Sequence, residues 1–129
     1  MLLINRIHHL AIICSNYEQS KSFYTDILGF KMVGEIYRKE RQSYKADLAI
    51  NDMYQIELFS FPDVPARVSR PEAAGLRHIA FEVDDIDTVV LLLRQKNIIA
   101  EPIRIDETTG KRFTFIADPD ELPIEFYEK

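Results

Sequence analysis

The sequence is poor in cysteine, in glycine and in positive charge, and each shortage excludes something. A single cysteine, Cys14, rules out any disulfide within the chain. That economy suits a reducing compartment, so a cytoplasmic location is the expectation. Four glycines in 129 residues leave no material for a Gly-rich phosphate loop. Lys and Arg number 16 against 21 Asp and Glu, a net charge of −5. No basic footprint is left for nucleic acid. No apolar run approaches the roughly 20 residues of a membrane span. The apolar start, Met1 to Ile4, meets Asn5 and Arg6 too soon to serve as a signal-peptide core. Neither a nucleic-acid nor a membrane partner is expected. What is present is an ordinary globular balance, 47% hydrophobic and 29% charged. The length fits one or two compact lobes.

The chain also repeats itself. His9-Leu10-Ala11-Ile12 and His78-Ile79-Ala80-Phe81 both read His, aliphatic, Ala, apolar. Each leads through a short polar stretch, Ser15-Asn16 or Asp84-Asp85, into a helical pattern. The first helix is expected to start with Asn16 as N-cap and to end near Leu28, before Gly29. The second runs from about Ile86 to Lys96. Ile86, Val89, Val90 and Leu93 fall on one of its faces, and Asn97 is its stop. Later, Ile56-Glu57-Leu58-Phe59 matches Ile124-Glu125-Phe126-Tyr127. From His9 to Glu57 is 48 positions and from His78 to Glu125 is 47. Two short matches in one order, at nearly one separation, are hard to credit to chance.

Further strand-like runs lie between these anchors. They are Lys31 to Arg38 and Lys45 to Ile50, with an Asn51-Asp52 turn, and then Glu101 to Ile105 and Arg112 to Ala117. Each half therefore reads strand, helix, strand, strand, strand. Phe61 to Gly75 holds Pro62, Pro65 and Pro71 and reads as a linker, since proline removes a donor and fixes the backbone. The expected organisation is one domain over 1–129, with modules at 5–60 and 76–129 joined by a linker at 61–75. Each half alone is too small for a full core, so the halves are expected to pair, within one chain or across two.

Alternation along strands puts His9, Glu57, His78 and Glu125 opposite their apolar neighbours. A carboxylate among core-like strands is costly unless it is paired or bound to a metal. Two such Glu and two such His, at repeat-related places, are all explained by one divalent cation, with open positions for substrate oxygens. Singly, each has a plainer explanation: a hydrogen-bonded strand His, or an edge Glu. His8 has the opposite parity to His9 and reads as a packing or surface residue. Cys14 reads as a small apolar side chain on the other face.

These residues resemble a known family. The run HLAIICSNYEQSKSFYTDILGF, from His9 to Phe30, is similar to the opening of bacterial glyoxalase I, and Phe23 to Phe30 is its most specific part. GLRHIAFEVDDID, from Gly75, resembles the start of that family's second module, and DPDELPIEFYE, from Asp118, resembles its ending. The resemblance implies the α+β fold of the vicinal oxygen chelate (glyoxalase/bleomycin resistance/dioxygenase) superfamily, in which two βαβββ modules form an open barrel around a metal. It implies that His9, Glu57, His78 and Glu125 hold one divalent ion, nickel, cobalt or zinc, with manganese or iron as alternatives. It further implies a homodimer acting on a small molecule with vicinal oxygens, through an enediolate-like intermediate. The activity class is lactoylglutathione lyase-like, a metal-dependent lyase or isomerase. By similarity Glu125 is the first choice of base and Glu57 the second.

The alternatives are an epimerase, a thiol transferase or a dioxygenase of the same fold, or a small-molecule binding or resistance protein. Fosfomycin thiol transferases have a His, His, Glu pattern, to which Glu57 is an addition. Ile13 stands where glyoxalase I has a glutathione-binding Arg, and Phe61 where it has a glutathione-binding Asn. Glu121 replaces the usual Gly of the last turn. Nine basic residues (Arg38, Arg41, Lys45, Arg67, Arg70, Arg77, Arg104, Lys111 and Arg112) could include an anion-binding group, though each taken singly reads as surface charge. Arg77, Lys111 and Arg112 are the chosen candidates for a carboxylate- or phosphate-bearing substrate.

Overall fold

A computed structural model describes residues 1–129. The chain divides into two compact units, 1–66 and 67–129. The first holds β1 (Leu10–Cys14), α1 (Tyr17–Ser22), β2 (Lys31–Arg38), β3 (Ser43–Ile50) and β4 (Met53–Ser60). The second holds β5 (Ile79–Val83), α2 (Ile86–Gln95), β6 (Arg104–Ile105), β7 (Arg112–Ala117) and β8 (Pro123–Glu128). Each unit builds one open four-stranded sheet, ordered β1-β4-β3-β2 or β5-β8-β7-β6. In both, the first strand runs parallel to the last, and the remaining pairings are antiparallel. The expected βαβββ order is thus present twice.

That parallel pairing is what positions the candidate residues. Leu10 and Ala11 lie opposite Ile56 and Glu57, and Ile79 and Ala80 lie opposite Ile124 and Glu125. The histidine just before each first strand is thereby carried toward the glutamate of the last. His9 and His78 themselves stand one residue ahead of β1 and β5 rather than inside them. On the other face of the first sheet, Ile12, Cys14, Ala46, Leu48, Ile56 and Leu58 are buried. In the second, Ile79, Ile116, Ile124 and Phe126 are buried, as are Ile86 and Leu93 of α2. Removing each of these Ile, Leu and Phe side chains from water contributes about 1.5–3 kcal/mol. Cys14 follows its expected parity, and its thiol donates to the Phe59 carbonyl at 3.2 Å.

Local chemistry sets the helix limits. Asn16 accepts the Gln19 amide at 3.1 Å, and Asp85 accepts the Asp87 amide at 3.1 Å, each satisfying a donor the first turn leaves open. The first helix departs from expectation after Ser22. A wider, π-type turn spans Phe23–Ile27, closed by the Leu28 amide on the Phe23 carbonyl at 3.0 Å. It coincides with two consecutive buried aromatics, Phe23 and Tyr24. Gly29 at φ +79 and Asn97 at φ +62 take the left-handed conformation past the two helices.

Two strand ends differ from the sequence reading. β6 keeps only Arg104–Ile105 of the expected Glu101 to Ile105. Pro102 has no amide hydrogen for a ladder, while the Glu101 carbonyl is taken by the Thr114 hydroxyl at 2.6 Å. β3 begins at Ser43, two residues earlier than expected. Residues 61–75 contain neither helix nor strand.

Candidate metal and substrate site

Each module brings one histidine and one glutamate together. In the first, His9 Nε2 meets Glu57 Oε2 as an ion-pair partner. In the second, His78 Nε2 lies 3.0 Å from Glu125 Oε2. Both glutamates are largely covered, with side chains 10% and 13% exposed, and a carboxylate so covered needs a cationic or donor partner. Neither module by itself gathers three metal-donor side chains. The sequence-derived set is therefore found as two matched pairs.

The surroundings of the pairs differ. Lys45 reaches Glu57 Oε1 at 3.1 Å and Asp47 Oδ1 at 3.4 Å. Tyr54 donates to Asp47 at 3.3 Å and faces the same group of side chains. Burial pushes the Glu57 carboxyl up, but Lys45, Tyr54 and the nearby His9 outweigh it, and the net shift is downward. Burial, then Glu57 and Asp47, raises the Tyr54 phenol, which stays a neutral donor. In the second module the register-equivalent positions are aromatic. Phe115 lies opposite Glu125 where Asp47 lies opposite Glu57, and Phe113 takes the place of Lys45. The Phe115 ring meets His78 edge-on at 5.3 Å.

Tyr54 enters through a bulge. Leu48 pairs with Ile56 but Ala49 pairs with Tyr54, so Gln55 is an extra residue. Simple alternation would have sent Tyr54 to the face opposite Glu57; the bulge returns it to the same side. No pattern in the sequence marked this. His8, expected as a packing or surface residue, has a contact that the sequence did not mark. It is exposed, yet its Nδ1 lies 2.9 Å from His9 Nδ1. Whichever tautomer His9 adopts, His8 supplies a partner for the nitrogen turned away from Glu57, an orienting role typical of groups behind metal-binding imidazoles. His78 Nδ1 is buried without a hydrogen-bond partner.

The donor chemistry suits a divalent ion. In each module an imidazole Nε2 and a carboxylate oxygen face each other, and the two pairs recur at matching register. The three basic residues expected at the substrate occupy different settings. Arg77 is exposed beside His78 and pairs with Glu72 at 3.2 Å. Lys111 donates to the Lys129 carbonyl at 2.7 Å. Arg112 is bound to Glu128 at 2.7 Å and to Asp87 at 3.0 Å, tying β7 to β8 and to the start of α2.

Residues 6–126 match the family model of the Glyoxalase/Bleomycin resistance protein/Dioxygenase superfamily. The chain belongs to this superfamily. Its relatives include the uncharacterized protein YwkD of Bacillus subtilis, 60% identical over 99% of this chain and 100% of its own. The uncharacterized protein YaeR of Escherichia coli is 57% identical over the full length of both. A glyoxalase family protein from Enterococcus faecalis has a crystal structure that superposes with a TM-score of 0.89 at 46% identity, covering 95% of this chain and 97% of that one. A more distant relative is the mitochondrial methylmalonyl-CoA epimerase of Mus musculus, 26% identical over 74% of this chain and 55% of its own. Fosfomycin resistance protein FosX of Listeria monocytogenes, whose crystal structure includes one with Mn(II), shares the fold at a TM-score of 0.73, 15% identity and 98% and 94% coverage. The glyoxalase-like, open-barrel α+β architecture expected from the sequence is the fold of this chain. No helix is long and apolar enough to cross a membrane.

Proposed function

We propose that the protein is a metal-dependent enzyme of the glyoxalase I type, a lyase or isomerase moving a proton beside a carbonyl of a small substrate with vicinal oxygens. The observation that carries this reading is the repeated His–carboxylate pair, His9 with Glu57 and His78 with Glu125, at equivalent register in two modules. Two such pairs supply four ligands and the negative charge that balances a divalent cation. A bound cation, nickel, cobalt or zinc in this reading, supplies polarisation of the substrate carbonyl.

The chain's own residues divide the remaining work. Glu125 takes the proton from the carbon beside the carbonyl and returns it to the neighbouring carbon. Its setting favours that role: the cation and phenol that face Glu57 have no counterpart there, because Phe113 and Phe115 fill the equivalent places. Glu57, held by Lys45, is the fixed ligand and the second choice of base. His9 and His78 hold the ion, and His8 orients His9. Arg77, next to His78, is the basic residue best placed for a substrate anion. The active unit is a cytoplasmic homodimer with two equivalent sites.

Epimerisation alpha to a carbonyl is the second reading, by the same proton chemistry. Ile13 and Phe61, at positions where glyoxalase I binds glutathione, favour it, as does the likeness to methylmalonyl-CoA epimerase.

Elemental analysis tests the site first. After loading with nickel, cobalt, zinc or manganese and desalting, wild type should retain one divalent ion per chain. Glu57→Ala, His78→Ala and Glu125→Ala should lose most of it. No metal above background in wild type would sink the enzymatic reading and favour a small-molecule binder. With metal in place, methylglyoxal–thiol adducts and alpha-chiral acyl compounds are screened for solvent deuterium uptake. Product formation separates lyase or isomerase from epimerase.

A further inference from the structure

The second unit, 67–129, contains a cavity of about 750 Å³ whose wall carries Arg67, Arg70, Arg77 and Arg104 alongside Glu72, Glu101 and Glu121. Four of the chain's nine arginines thus gather on one concavity of a protein with net charge −5. The volume lies in the range of small-molecule sites. Phe115 also lines it, and the same ring meets His78 at 5.3 Å. The cavity therefore adjoins the His78–Glu125 pair within one compact unit.

These guanidinium groups are only lightly committed. Arg77 and Arg104 pair with Glu72 and Glu101 at 3.2 and 3.4 Å, and all four side chains are at least half exposed. Such pairs are weak and exchangeable. The Arg70 guanidinium makes no hydrogen bond or ion pair within the molecule. Arg67 is the exception, since it donates to the carbonyls of Leu76 and Arg77 at 3.0 and 2.8 Å. Even so, its Nε is buried without a partner. Arg104 lies over Phe113 and Phe115, 5.0 and 5.7 Å from the ring centres, which fixes its plane while leaving its edge open.

We propose that this cavity binds the phosphate end of the substrate. A single carboxylate occupies one guanidinium fork, whereas a phosphate group offers two negative charges and three acceptor oxygens that several arginines can share. Such a group displaces Glu72 and Glu101 from Arg77 and Arg104. Phe115, Ile99 and Pro123 give an adjoining apolar wall for the body of the ligand. The anion pocket stands by itself; its assignment to the substrate rests on the proton-transfer reading above. The substrate class is then a phosphorylated small molecule with vicinal oxygens at the opposite end.

Calorimetric titration of the full chain tests this, with chelator present throughout so that the fate of the metal site has no bearing on the result. The probes are inorganic phosphate, pyrophosphate and succinate at constant ionic strength. Pyrophosphate is expected to bind saturably, one per chain, and more tightly than succinate. Arg70→Gln and Arg104→Gln should each weaken it roughly tenfold or more, the loss expected for a charge-assisted contact. Arg70 is exposed and unpaired, so its variant reports on binding without a folding complication. Absence of saturation, unchanged affinity in both variants, or equal binding of succinate would overturn the proposal. Pyrophosphate binding in a protein that retains no metal would uphold the pocket and remove only its link to proton transfer.

Discussion

The two modules share a strand order and a His–Glu pair, yet they surround their glutamates with opposite chemistry. Around Glu57 stand Lys45, Asp47 and Tyr54. Around Glu125 the same register positions are Phe113 and Phe115, and β8 has no bulge to bring in a phenol. The backbone repeat thus sets where a carboxylate stands, and its neighbours set what that carboxylate can do. A carboxylate facing an ammonium is held ionised and is a poor base. The one among aromatic rings has a single imidazole partner. The two modules share the His–Glu pair and differ at three positions around its glutamate.

The sharpest way to break this comparison is to remove the cation. In metal-free protein, Lys45→Met leaves Glu57 covered without its ammonium partner. It should cost about 1–2 kcal/mol at neutral pH, a figure reduced from that for a fully buried pair because Lys45 is partly exposed. Phe113→Met, at the equivalent place, should cost less than about 1.5 kcal/mol, since volume and polarity are nearly kept. Chemical denaturation midpoints measure both. Equal losses would mean that Lys45 acts by packing alone.

The hairpins that lead into the last strands offer a smaller effect. Asn51 and Asp52 make the first turn at φ +49 and +63, a conformation their short polar side chains tolerate. The second turn places Glu121 at φ +68, a conformation that favours Gly. Asp118 offsets part of the cost by accepting the Asp120 and Leu122 amides at 2.8 and 2.9 Å. Glu121→Gly should stabilise the protein by up to about 1 kcal/mol by relieving left-handed strain. A lower thermal midpoint would show that the Glu121 side chain contributes more than its backbone costs.

The smallest effect is on acid stability, where the modules should behave alike. Tyr17, then Lys21, holds the Glu35 carboxyl below the usual carboxylate range; Arg112, then the Ile86 amide, does so for Glu128. A carboxyl lowered on folding adds stability above its unfolded value, about 4.3, and loses it as pH falls through the lowered value. Glu35→Gln and Glu128→Gln should therefore each flatten the acid side of the stability curve below about pH 4 and leave its shape near neutrality unchanged. Denaturant melts across that range provide the check. An acid limb unchanged in only one variant would make that module's ion pair energetically silent.

Reading the sequence alone went far because the repeat constrains itself. Alternation and capping residues located both helices and most strand limits, which depend on residues within a strand or turn of one another, and the repeat singled out the four His and Glu residues. The family resemblance added the fold. The misses have different origins. β6 was overextended because the fate of the Glu101 carbonyl depends on Thr114, thirteen residues later. The turn at Phe23–Ile27 widened where two neighbouring aromatics are both buried. The partners of Arg112, Glu128 and Asp87, come from other elements and were not legible along the chain either.

By itself, then, the sequence determined the two modules, their order of elements and the four repeated His and Glu residues, because hydrophobic alternation, cap chemistry and the internal repeat are all legible along the chain. Only the tertiary structure decided that Lys45 and Tyr54 face Glu57 while phenylalanines flank Glu125, and that arginines scattered from 67 to 104 line one cavity. Strand register, a one-residue bulge and loop closure set those outcomes. They are fixed by packing between distant segments, which no local pattern records.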